Sequence, residues 1–81
     1  MAYSKTYRTI VPVEPGTDFD LLLWLTRESF ERKAESDALT IVEFEHRTVS
    51  PGDLPPKAAK QLGRPLTDFE WFEFTGVARR A

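Results

Sequence analysis

The chain has 81 residues, no cysteine and a formal net charge of -2, with a pI near 5.3. These values point to one domain spanning 1–81. They exclude disulfide scaffolds, thiolate metal sites and cysteine nucleophiles, and they give no global pull toward nucleic acid or an anionic membrane. Hydrophobic residues make up 41% and aromatics 12%, a load that argues for a folded core rather than disorder. The first seven residues carry no apolar signal core. The longest apolar run, Leu21 to Leu25, falls far short of the ~20 residues a bilayer span needs. The reading is a soluble, cytoplasmic protein.

Residues 3–13 alternate loosely, with Tyr3, Tyr7, Thr9, Val11 and Val13 on one side and Lys5, Thr6 and Arg8 interleaved. This predicts a first strand. Pro12 has no N–H to give a ladder, so the end of that strand belongs on an edge or is leaving the sheet. Glu14-Pro15-Gly16 marks a turn. Thr17 stands as the predicted N-cap, with Asp20 in capping-box position, of a helix running to about Glu35. Phe19, Leu22, Leu23, Thr26, Phe30 and Ala34 form its apolar stripe. Trp24 and Leu21 do not share that face. The loop before the helix covers Trp24, or Trp24 is presented outward.

Residues 38–49 predict a second strand. Strict alternation puts Thr40, Val42, Phe44, His46 and Thr48 on one face and Ile41, Glu43, Glu45 and Arg47 on the other. Ser50-Pro51-Gly52-Asp53 ends it. A short helix over 55–62 follows, with Pro at its start and Gly63 at its C-cap. Residues 66–77 predict the last strand, which carries large apolar side chains on both faces. Phe72 and Phe74 point one way beside Glu70. Phe69, Trp71 and Val77 point the other way, with Glu73 and Thr75 between them. Arg79-Arg80-Ala81 reads as a frayed tail.

The expected architecture is α+β: a small three-stranded β-sheet with one long α-helix packed on a face, in the order β-α-β-(short helix)-β. The first strand–helix–strand unit is compatible with a parallel right-handed crossover, and the last two strands with an antiparallel pair. One helix covers only one face of such a sheet. The second apolar face of the last strand needs a lid from residues 51–63, a copy of the chain or a foreign partner.

No motif for chemistry stands out. His46 is the only histidine, and Glu45 beside it points to the other face, so the pair has no nucleophile or orienter. Glu43, Glu45 and Arg47 have the spacing of a solvated strand face, and nothing in it selects acid–base or metal work. Pro15-Gly16-Thr17 before a helix offers free amides to an anion, but Asp18 and Asp20 fill that space with negative charge. No catalytic residue, metal ligand or cofactor is assigned.

Two binding readings remain. Trp71, Phe69, Trp24 and Leu21 are the outlying apolar residues, and large aromatics are favoured interface anchors. They predict a small non-enzymatic module that binds a protein partner or forms a homodimer, with edge strands as a second route. The alternative is a single-stranded nucleic-acid binder that uses Tyr3, Tyr7 and Trp71 with Lys5 and Arg8. The chain's acidity weighs against it.

The chain has no Asn, only two Ile, and 7 Arg to 4 Lys. With phrases such as Glu14-Pro15-Gly16-Thr17-Asp18 and Pro51-Gly52-Asp53-Leu54-Pro55-Pro56, its texture resembles the small accessory proteins of actinobacterial phages and their hosts. That resemblance implies a small protein that binds a host or phage protein. It carries over no site residue.

Overall fold

A computed structural model describes residues 3–55 and 57–80. Strand β1 spans Ser4–Val13, helix α1 Phe19–Ser36, strand β2 Thr40–Val49, helix α2 Lys57–Leu62 and strand β3 Glu70–Arg79. Short 3-10 turns at Pro51–Asp53 and Leu66–Asp68 flank α2. The three strands form one sheet in the order β1-β3-β2, with β3 antiparallel to both neighbours. This is the expected α+β class and element order. β1 and β2 run parallel to each other but do not touch, because β3 lies between them. The strand with apolar residues on both faces is thus the central one, paired along both edges.

The turn after β1 forms as its residues dictate. Thr17 N donates to Glu14 O at 3.2 Å, with Pro15 supplying its fixed φ and Gly16 at φ 87 taking the left-handed position. Helix α1 starts one residue later than the sequence predicts. Asp18, not Thr17, is the N-cap, and its Oδ1 accepts from Leu21 N at 3.1 Å. Aspartate is at least as good a cap as threonine, and its carboxylate also meets the positive end of the helix dipole.

The helix closes without glycine. Leu39 N reaches Ala34 O at 2.7 Å and Ala38 N reaches Glu35 O at 3.0 Å. This is the six-to-one and five-to-two pattern of a Schellman end. Ala38 occupies the left-handed position, at φ 60, and the buried Leu39 turns in beneath the last turn.

The core lies between α1 and one sheet face. Phe30, Ala34, Phe74, Ala78, Tyr7 and Leu39 form its buried centre, with Phe19, Leu22, Leu23, Val11, Phe44 and Phe72 around it. Gly76 sits in β3 between Tyr7 of β1 and Phe44 of β2, and the missing side chain makes a socket. The Phe30 ring fills it, stacked on Tyr7 at 6.1 Å between centroids and edge-on to Phe44 at 5.8 Å. A Cβ on Gly76 would meet Phe30 Cδ2 at 2.7 Å.

Two further expectations are corrected. A bulge between Ile41 and Glu43 breaks the alternation of β2. Ile41 joins the core side with Phe44, whereas Val42, expected beside Phe44, is exposed. One extra residue on one strand shifts every side chain before it to the opposite face. The tail is not frayed at Arg79, which pairs with Ser4 and Thr40, and Arg80 N donates to Tyr3 O at 3.4 Å. Ala81 and Pro56 lie outside the described residues.

Candidate interaction surfaces

The four predicted contact residues fall in two separate places. Trp71 lies on the face of β3 turned away from α1. It is only 5% exposed, because the segment between β2 and β3 folds over it. Its indole N–H donates to Leu66 O at 2.8 Å, and Phe69 meets it edge-on at 6.1 Å. Arg64 stacks over Phe69 at 4.6 Å and ties the segment down through Glu14 at 2.6 Å. The Trp71 and Phe69 side of the sheet is therefore lidded by the chain itself. The aromatic face that the sequence offers to a partner is, at this end, partly covered by the chain's own segment, with an open groove left beside Trp71. Phe69 is half-buried at its rim.

Trp24 and Leu21 have the opposite fate. Both lie on the outer side of α1, 61% and 51% exposed. Leu25, 49% exposed, joins them, so residues i, i+3 and i+4 make one apolar stripe on the solvent side of the helix. The sequence reading missed Leu25. Its signal was present, since it falls about 40° from Leu21 on the helical wheel. Arg27–Glu31 and Glu28–Arg32 ion pairs, at 3.1 and 2.6 Å, edge the stripe toward the C-terminal half.

Beyond the lid, the open face of the sheet is polar. Glu73 is buried there to 9% exposure. Its Oε1 takes Arg47 Nε at 2.9 Å, with Arg8 Nε at 4.0 Å on the other side. Thr75 and Glu45 lie in the next cross-strand row. A buried carboxylate between two guanidinium groups is a satisfied structural unit, since lone buried charges are what cost most.

The residues of the single-strand reading do not all share one face, and of its aromatics Tyr3 alone is exposed. Lys5 and Tyr7 face α1, while Arg8 and Trp71 face the other way. The Tyr7 hydroxyl donates to Asp37 Oδ2 at 2.5 Å and Lys5 Nζ to the same oxygen at 2.9 Å. These bonds hold the Asp37 carboxyl below the ordinary aspartate value, the tyrosine bond being the larger cause. They also raise Tyr7 and Lys5 above their ordinary values, each chiefly through its bond to Asp37. The cluster fastens the C-terminal end of α1 to β1.

His46 packs at the rim of the helix-side core, 5.2 Å from Phe19 and 6.4 Å from Phe72 between ring centroids. An open cleft of about 370 Å³ runs past it between Pro15, Thr17, Phe19 and Glu70. Among the described residues, no three His, Asp or Glu side chains converge as a metal-ligand set, and no helix is long and apolar enough to cross a membrane. Compared with protein families, curated proteins and solved structures, the chain gives no match.

Proposed function

We propose that this chain is a small non-enzymatic protein-interaction module whose contact surface is the outer stripe of α1, Leu21, Trp24 and Leu25. The observation that carries this reading is the exposure of Trp24, 61% in a chain that buries its other tryptophan to 5%. The helix already spends Phe19, Leu22, Leu23, Phe30 and Ala34 on the core, and the second stripe lies outside it. Large aromatics ringed by charged side chains are the usual anchors of protein interfaces, and an amphipathic helix face is a common docking element. The partner is a protein or a second copy of this chain. The first of these fits the accessory role that the phage and host resemblance implies, acting in the cytoplasm.

Trp71 has a different part in this reading from the one its sequence pattern predicts. It anchors the lid through Leu66 O and Phe69. The nucleic-acid alternative is weakened because Tyr7 and Trp71 are both buried, and on opposite faces.

The test compares wild type with Trp24→Ala and Leu25→Ala. Each variant is expected to keep the wild-type thermal midpoint and to lose association, read by light scattering over a concentration series and by retention of co-purifying protein. Association unchanged in both variants would remove the α1 stripe as the contact surface.

A further inference from the structure

The sheet is open, and β1 pairs with β3 alone among the described residues. Its outer edge therefore leaves backbone groups without a strand partner, and such an edge is a template for one more strand. Beside this edge, on the open face, lies a groove of about 350 Å³. It is lined by Ile10 and Pro12 of β1, Trp71 of β3, and Leu54, Gln61 and Leu62 of the segment between β2 and β3. Volumes of this order suit one bulky side chain or a small ligand.

Side chains alternate along β1, so Pro12, Ile10 and Arg8 form one row on this face. Arg8 is the next member after the groove. Its guanidinium is the second cation on a single carboxylate, since Arg47 already holds Glu73 at 2.9 Å and Arg8 stands off at 4.0 Å. Two guanidinium groups and one carboxylate leave a positive charge unbalanced. Arg8 is the looser partner by distance, and its side chain is 63% exposed beside 68% for Arg47. The β2 side of the same face carries Glu43 and Glu45, so the unbalanced positive charge is local to the β1 edge.

We infer that the β1 edge and this groove bind an extended acidic peptide that adds as an antiparallel strand. A bulky apolar side chain enters the groove against Ile10 and Trp71, and a carboxylate two residues later meets Arg8. Antiparallel pairing is the stronger and commoner mode. It fixes the peptide order as apolar, any residue, acidic, because the added strand runs against β1. Pro12 cannot donate to the added strand, so pairing is confined to the residues before it. Main-chain bonds supply affinity in this mode and the alternate side chains supply specificity. The surface lies on the face of the sheet opposite α1 and is independent of the Trp24 stripe.

The probe is a dye-labelled peptide of eight residues, threonines throughout except one leucine followed two places later by one glutamate. Binding is followed by fluorescence anisotropy, and contacts by amide NMR shifts on the intact chain. Wild type is expected to bind it, with shifts concentrated on β1 and around Trp71. A peptide with lysine in place of the glutamate is expected to bind about tenfold more weakly. Arg8→Gln, which leaves Arg47 on Glu73, is expected to abolish that preference. Ile10→Asp should weaken both peptides. The inference is overturned by no binding at about 1 mM peptide, by equal affinity for both peptides, or by shifts confined to β2, α1 or a self-associated species.

Discussion

At the scale of single residues, the two tryptophans divide the molecule's work. Trp71 gives its N–H to Leu66 O and its ring to the underside of the lid, so Trp71→Ala should cost about 3 kcal/mol or more in chemical denaturation. Trp24→Ala removes a side chain that touches the core nowhere, and the same measurement should move by less than about 0.5 kcal/mol. Gly76 is the third decisive residue. Gly76→Ala places a methyl group where the Phe30 ring sits. The expected loss is about 1–3 kcal/mol, read as a lower denaturation midpoint with unchanged slope. None of the glycine's role was legible beforehand. The sequence shows a glycine inside a strand, but the socket needs Tyr7, Phe44 and Phe30 brought from three other elements. The burial of Trp71 was legible only as one of two outcomes, because alternation shows which face a side chain takes and not what covers it.

At the scale of elements, helix and strand ends are where local chemistry and tertiary pairing compete. The α1 stripe was readable to the residue, since Phe19, Leu22, Leu23, Phe30 and Ala34 recur at helical spacing and all reach the core. Its N-cap was misplaced by one, because Thr17 and Asp18 both have capping side chains and only the tighter turn through Gly16 selects the second. Its C-cap has a correctable fault. Ala38 holds a left-handed conformation that costs an L-residue roughly 1–2 kcal/mol. Ala38→Gly should therefore raise stability by about 0.5–1 kcal/mol after the added freedom of the unfolded chain is deducted, measured by thermal melting.

The same helix end is held by Asp37. Its folded pKa is depressed from 3.8 by the bonds from Tyr7 and Lys5, so the cluster stabilises the fold above that pH. The contribution is lost as pH falls through the lower folded value. Tyr7 is raised from 10.0, so its contribution holds below that pH and fades as pH rises through the folded value. Asp37→Asn should therefore lower the melting temperature at pH 7 and converge with wild type in acid. The bulge in β2 was beyond sequence reasoning for a different reason. Ile41-Val42 reads equally well in either phase, and only its pairing with β3 decides which of the two turns inward.

At the scale of the whole molecule, the shape follows from one helix on one small sheet. The principal extents are 44 × 26 × 19 Å and the radius of gyration is 14.4 Å, against about 12 Å for a compact chain of this length. The sheet and α1 form two layers, and the described part of the segment between β2 and β3 adds a partial third near Trp71, Ile10 and Pro12. An open architecture with edges on both sides has more unpartnered surface than a closed one. The fold class and element order were legible because the first two strands alternate with period two, α1 repeats with period 3.6, and the last strand is an aromatic-rich run bounded by turn residues. The strand order was not, since three strands with these patterns pair in several ways, and the apolar load on β3 decides for the centre only once the lid is in place.

The most direct test of the central claim uses the Trp71→Phe chain, in which Trp24 is the only indole, with acrylamide quenching of its fluorescence at rising protein concentration and with partner added. Dilute protein is expected to show a red-shifted, readily quenched indole that becomes blue-shifted and protected on association. An indole that is blue-shifted and protected in the dilute monomer, or one that stays fully quenchable in the associated state, would contradict that claim.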